Sequence, residues 1–504
     1  MLALSYGASP AAADDFTQAM AYFYQTNPTI LTAFENLRAQ NEAYVQAREA
    51  FGPQVSVNFE ADYQQAKVDQ TNFFGQKYVS TLIGRTSTTS LDISQPIYSG
   101  GKLTAQVNGA QADVLAAREA ARQAISQTFR SAIQAYVDVA RDEAVLIATQ
   151  HARDLLERDL FDMQEKFKAG AATLSDRAEV LARLAAARTQ VASAEGQVQQ
   201  SRAAYLSIIG QEPHSFQIPT DFPALPATRE AAATAANVEA PSLKQAVFEE
   251  ASARARVALA KSAFSPDISV RLSAQSLPLA QYQSGALDKN LSAGLVVQAP
   301  IFTSGVNLSK LRQAESQQRS ARLKIEAARR AALQAAEQAY ASVETARKSV
   351  RLLTEQVRAD RVAYESLNEQ FKSGLISTID LLNSEQELAN AEISLAGAKH
   401  DFALAQADLL AAAGRLEAEV LIPDVIPKRP ETDFRKLAIV SARLPTTLIV
   451  REIDRFSPTA TEKVTRVQAQ PLEKASPKSA PEPALDDMDP ANVGAPPQSA
   501  EPKP

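Results

Sequence analysis

The 504-residue chain has no cysteine and no tryptophan. Without cysteine there is no disulfide, no thiolate metal site and no cysteine to carry an N-terminal lipid within this sequence. Aromatics make up only 6% of residues although hydrophobic residues reach 45%. Alanine fills the difference, which suits long helices in close contact better than a wide globular core. Uncharged apolar runs of 18 residues are also missing, so no membrane-spanning helix is expected and any bilayer crossing must be made by strands. The net charge of −6 is mild for this length and argues against nucleic acid as a partner. His151, His214 and His400 share no metal-ligand spacing, and no G-x-S-x-G, P-loop, GxGxxG or H-E-x-x-H pattern occurs. Neither an enzymatic role nor a cofactor is expected.

What is present is helical periodicity over an unusual length. From Gly305 upward, Val343, Ala346, Val350, Leu353, Val357, Tyr364, Leu367 and Phe371 form a heptad seam, broken only at Asp360. The pattern stops at Lys372-Ser373-Gly374 and returns as Leu381, Ser384, Leu388, Ala391, Leu395, Ala398, Phe402, Ala405, Leu409 and Ala412. On this returning arm a second stripe runs through Ile379, Leu382, Ala389, Ile393, Ala396, Ala403, Ala407 and Leu410, with His400 on it as a packed residue. A helix with two seams belongs in a ring or sheet of helices. The rising arm of about 66 residues makes a rod of roughly 100 Å.

The chain says nearly the same thing twice. Pro96-Ile97-Tyr98-Ser99-Gly100-Gly101 returns as Pro300-Ile301-Phe302-Thr303-Ser304-Gly305, and Phe167-Lys168-Ala169-Gly170 as Phe371-Lys372-Ser373-Gly374, both 204 positions on. Upstream, Pro28 pairs with Pro241 and Phe51-Gly52-Pro53 with Phe264-Ser265-Pro266, 213 apart. The nine extra residues of the first copy fall between Pro53 and Pro96. Each copy reads as helix, strand, strand, long helix, turn, helix. Val55, Val57, Phe59, Ala61 and Tyr63 alternate with polar residues, as do Ile268, Val270, Leu272 and Ala274; their partners are expected near 81–97 and 290–301, with polar loops over 64–77 and 275–289.

Four strands with one apolar face are too few to close a barrel, which needs about eight. Open edges are not tolerated in lipid. Several copies must therefore pool their strands.

The expected organisation is a secretory-signal remnant or a disordered N-terminus over 1–13, a first repeat over 14–213, a Pro-rich linker with a short helix over 214–238, a second repeat over 239–422 and a tail over 423–504. The tail holds 14 of the 26 prolines. Residues 437–456 retain a pattern compatible with local order, whereas 457–504 have the composition of a disordered segment.

With Asn27-Pro28, Pro-Ile-Tyr-Ser-Gly-Gly after a strand and two Phe-Lys-x-Gly turns, residues 14–422 resemble the TolC family of outer-membrane efflux proteins, particularly its type I secretion branch. The resemblance implies an α+β membrane protein. Duplicated helical hairpins would form an α-barrel in the periplasm, and four strands per chain would complete a trimeric transmembrane β-barrel in the cell outer membrane. It implies as partners two further copies in a homotrimer, a periplasmic membrane-fusion adaptor and an inner-membrane ABC or proton-driven exporter. The hairpin turns, Phe167, Lys168 and Gly170 with Phe371, Lys372, Gly374, Leu375 and Ile376, would be the periplasmic tip that meets the adaptor. Asp380 stands at the first acidic position of the family's gate ring and Asn383 at the second, so the ring carries fewer charges here. Asp176 is kept from the family's polar latch, with Phe371 and Ile376 in place of a tyrosine and an arginine. Opening would untwist the returning helices, 173–209 and 378–413.

The residues themselves leave a second reading of those acids open. Thr173-Leu174-Ser175-Asp176 and Ser377-Thr378-Ile379-Asp380 are capping-box sequences. Gly170 and Gly374 read as positive-φ turn residues, and Pro96, Gly101, Pro300 and Gly305 mark the strand-to-helix junctions. The function expected is a passive exit duct, which the resemblance assigns to type I protein secretion with multidrug efflux as the alternative; a coiled-coil scaffold without a pore is the rival from another class.

Overall fold

A computed structural model describes residues 16–456 except 171, 213–215, 217, 220, 279–286, 374, 423–424 and 426–444. The signal-like N-terminus, His214, Gly374 and the tail beyond 456 lie outside the described residues. In chain order the elements are α1 (Phe16–Thr26), α2 (Pro28–Glu49), β1 (Gln54–Thr71), β2 (Lys77–Tyr98), α3 (Lys102–Lys168), α4 (Leu174–Ile209), α5 (Arg229–Glu239), α6 (Pro241–Ser262), β3 (Asp267–Pro278), β4 (Leu287–Gln298), α7 (Val306–Lys372), α8 (Thr378–Ala412), α9 (Ala418–Leu421) and α10 (Pro445–Arg455).

The duplication reaches further than the sequence motifs indicated. Helices α1 and α5 each have 11 residues and start 213 positions apart, the same offset as α2 and α6. The helix assigned to the linker is therefore the opening element of the second copy. Asn27 separates α1 from α2: its side chain accepts from the backbone N–H groups of Thr29 (2.9 Å) and Ile30 (3.3 Å), and Pro28 follows at the first helical position.

The few aromatics are concentrated where α1 crosses the long helices. Phe23, Phe129, Tyr136 and Tyr205 are fully or almost fully buried, and Tyr24 stacks on Phe129 at 5.9 Å. Along much of the remaining length alanine lines the helix contacts, with leucine, valine and methionine taking over toward the hairpin ends. The two stripes of α8 face different neighbours: Phe402, Ala405 and Leu409 pack on Ala336, Ala339 and Val343 of α7, while Ala403, Ala407 and Leu410 join the cluster holding Phe129, Ile133 and Tyr136 of α3.

The strands form one antiparallel sheet in the order β1-β2-β3-β4. The register places Val57 opposite Leu91, Leu91 opposite Ala274 and Ala274 opposite Leu291. One face thus carries Val55, Val57, Phe59, Ile93, Val270, Leu272, Leu295 and Val297, and the other Ser56, Asn58, Glu60, Ser90, Asp92, Ser269, Arg271 and Ser273. Alternating apolar and polar faces of this kind suit a sheet between lipid and a wet lumen.

The loops proved shorter than expected. Strand β1 runs on to Thr71, and the turn is only 72–76, where Asn72 Oδ1 accepts from the N–H groups of Phe74 (3.1 Å) and Gln76 (2.8 Å). Beyond Tyr63 both faces become largely polar, which erases the period-two signal, whereas the backbone ladder needs no apolar side chain to continue. Strands β3 and β4 likewise extend to Pro278 and from Leu287.

Candidate functional site

At the hairpin ends both capping boxes form. Asp176 accepts from Thr173 N–H (3.0 Å) and Oγ1 (2.7 Å), and Thr173 Oγ1 accepts in turn from Asp176 N–H (3.1 Å). Ser377 and Asp380 repeat the arrangement at 3.3, 2.6 and 3.3 Å. The Thr173 hydroxyl, followed by its backbone N–H, holds the Asp176 carboxyl below the usual aspartate range. Asp380 is exposed and Asp176 half-buried, each at the first turn of a returning helix, where it stabilises the positive helix end.

The two hairpins are joined just above. Arg183 of α4 donates to Asn383 Oδ1 (3.0 Å) and to the Leu382 carbonyl (3.4 Å), and it is also paired with Glu179 (3.0 Å). Leu382 is buried among Leu156, Met163, Val180 and Leu184, with Phe371 against the same cluster. Lys166 sits 3.8 Å from the centre of the Phe371 ring, and Arg177 covers Phe167 at 5.7 Å. Lys168 and Lys372 pair with Glu165 and Glu369, each one turn back. Gly170 has φ +73. Leu375 is exposed at the turn, with Ile376 half-buried beside it. Asn383 is thus brought to Arg183, while Asp176 and Asp380 are each engaged in their own caps.

Sequence reasoning missed a buried acidic contact two turns along α8. Glu385 is 5% exposed, and neither of its oxygens, nor Asp159 Oδ2 of α3, meets a well-aligned donor among the described residues. Burial first, then the adjacent Asp159 carboxyl, push Glu385 up to about 9; burial also raises Asp159. One proton between them lets one carboxyl donate to the other. The Tyr364 hydroxyl of α7 lies beside the pair, and burial followed by the Glu385 charge raises it too. The second stripe of α8 takes a single step of seven from Leu382 to Ala389, passing over Glu385, and that gap was the available signal. Further up, His400 bridges Asp138 of α3 (2.8 Å) and Asp401 (2.9 Å). Burial alone would lower its pKa, but these two hydrogen bonds outweigh burial and raise it.

The strand junctions differ between copies. Gly101 and Gly305 both cap a long helix with positive φ, 85° and 81°. Pro96 interrupts the β2–β3 register, as expected of a residue without an N–H. Among the described residues, only the first junction has an acid over it. Asp454 of α10 accepts through Oδ1 from Ser99 N–H (3.0 Å), Ser99 Oγ (2.7 Å) and Gly101 N–H (3.0 Å), and through Oδ2 from Thr104 N–H (3.0 Å) and Oγ1 (2.8 Å). A carboxylate that satisfies several helix-start donors is worth on the order of 1–2 kcal/mol. After Pro300, Ile301 and Phe302 are 96% and 84% exposed. Gly100 touches the other copy: a Cβ there would lie 2.2 Å from that of Ser265.

No helix among the described residues is long and apolar enough to cross a membrane. The sequence profile of the outer membrane efflux protein family matches residues 23–211 and again 233–415, once per copy. Outer membrane efflux protein BepC of Brucella suis is 25% identical over 432 residues, covering 84% of this chain and 91% of that protein. Solved outer-membrane channel structures share the fold, among them the following two. The CmeC channel of Campylobacter jejuni has a TM-score of 0.70 at 17% identity, over 86% of this chain and 94% of that one. The open MtrE channel of Neisseria gonorrhoeae has a TM-score of 0.64 at 22% identity, over 80% and 89%.

Proposed function

Since the chain belongs to the outer membrane efflux protein family, we propose that it works as a homotrimeric exit duct of a tripartite exporter. An inner-membrane pump and a periplasmic adaptor, docking at the turns around Gly170 and Leu375, would feed the helical tube. The observation that carries this reading is an imbalance. Helices α3 and α7 both have 67 residues, yet twenty-one side chains of α3 are buried and only five of α7. Among the described residues strand β4, which leads into α7, leaves one edge of the sheet unpaired, as β1 leaves the other. Another copy supplies what is missing.

The duplication gives the register. Leu272 pairs with Ile93 inside the chain. Applying the offsets of 213 and 204 puts Phe59 of the neighbour opposite Val297. The close contact of Gly100 with Ser265 becomes Ser304, at φ 49°, against Gly52, so glycine and serine exchange sides. Because native cysteine is absent, Phe59→Cys with Val297→Cys tests the assembly directly. Oxidation should yield covalent dimers and trimers from the double variant and none from either single one. A monomeric product would overturn the proposal.

The cargo we assign is a small molecule, supported by the efflux description of the family and of BepC. Type I protein secretion is the second reading, favoured by the Pro-Ile-Tyr-Ser-Gly-Gly and Phe-Lys-x-Gly motifs. A deletion strain that gains drug susceptibility with an unchanged secreted proteome supports efflux, and the converse supports secretion.

A further inference from the structure

We propose that α10 is an interfacial anchor, an amphipathic helix lying on the periplasmic leaflet of the outer membrane and pinned to the barrel rim by Asp454. The inference rests on the barrel reading above for its orientation.

The docked face of α10 is formed by Thr447, Val450 and Asp454, all buried. Val450 packs on Phe51 and Leu103, with Ile97 against the same cluster. Ile97 lies in the bulge at the foot of β2, next to Tyr98, which pairs with Ile268 of the sheet's apolar face. Helix α10 therefore sits outside the rim, next to the lipid-facing band, at the end from which the long helices depart. A second face is apolar and uncovered. Ile449, Ile453 and Phe456, spaced as successive turns of one stripe, are 60%, 40% and 86% exposed, with Leu448 at 45%. The third face presents the exposed side chains of Arg451 and Arg455, the latter 3.8 Å from Glu452. A helix with one uncovered apolar stripe, continuous with a lipid-facing sheet and with its arginines on the side turned away from that stripe, fits a bilayer surface: the stripe enters the acyl boundary and the charged side stays in water.

The chain has no native tryptophan, so single reporters are unambiguous. Phe456→Trp, with Ile449→Trp as a second reporter, would be read in trimers reconstituted into phosphatidylethanolamine–phosphatidylglycerol vesicles with and without brominated acyl chains. Phe59→Trp in the apolar band and Phe161→Trp on α3 are the references. Emission of both α10 reporters should shift to shorter wavelength, with bromine quenching between those of the two references. Quenching no greater than that of Phe161→Trp overturns the anchor while leaving the barrel intact. Blue-shifted but unquenched emission also overturns it, assigning the stripe to a neighbouring subunit. An unquenched Phe59→Trp reports instead that the barrel reading has failed.

Discussion

Replacing Glu385 by glutamine should strengthen the α3–α8 contact and remove most of its pH dependence. In the unfolded chain the carboxyl titrates near 4.5, whereas in the fold burial and Asp159 push it up to about 9. Between those values the folded protein holds a proton that the unfolded chain has released. The native state binds more protons, so stability falls as pH rises through this window and levels off above it. At neutral pH the cost is of the order of 3 kcal/mol. Glutamine keeps the shape, carries no charge and can donate its amide to Asp159. The expected gain is therefore close to zero at about pH 5 and grows to a few kcal/mol by about pH 8.

His400, on the same helix and also against α3, adds the same sign. Its pKa is raised in the fold, so its contribution is complete below the ordinary histidine value and lost as pH climbs through the raised one. A small slope near neutrality should therefore survive in the variant. Hydrogen exchange of α8 amides, corrected for intrinsic rates, reads the effect locally in the assembled protein. Wild-type protection that does not change with pH, or a variant gain equal at both ends of the range, would refute the reasoning.

The remaining predictions are local. Arg183→Ala or Asn383→Ala should each raise the ratio of open to closed channel in single-channel recordings by up to about tenfold, since a polar link of this kind is worth roughly 0.5–1.5 kcal/mol. The double variant should do no more than Arg183→Ala alone, which also removes the contact with the Leu382 carbonyl, and additivity would show that the two side chains act separately. Gly414→Ala should sharply reduce folded trimer, because its Cβ would fall 2.4 Å from the Glu239 carbonyl at φ +70. Gly170→Ala, with open space around it, should cost only the positive-φ strain of about 1 kcal/mol by thermal unfolding.

The architecture was legible because it is periodic. Two seams on α8 announced two neighbours, and the paired motifs at Pro96 and Pro300 announced the copy. The strands' apolar alternation stopped at Tyr63, and so did the strand assignment, since a ladder between two polar faces leaves no trace in hydropathy. Helix α1 went unread for a related reason. Its partner α5 is alanine-rich while α1 carries Phe16, Phe23 and Tyr24, so the two copies share length and place but not residues.

The functional contacts were hidden by sequence distance rather than by weak signals. Asp159 and Glu385 are more than 220 positions apart, and each reads as an ordinary helix acid until α3 and α8 close over both. Asp454 lies in the stretch over 437–456 whose pattern is compatible with local order, but nothing in that pattern points 353 positions back to Gly101, whose missing side-chain cap Asp454 supplies. The same asymmetry separates the two copies. The first junction has Thr104 to meet the carboxylate, whereas the matching position in the second is Leu308, which has no hydroxyl to offer. A duplicated chain that closes into a ring presents each junction to a different neighbour. In the proposed trimer the divergence between the copies, at Gly52 and Ser265 or at Thr104 and Leu308, would separate contacts made within a subunit from those made between subunits.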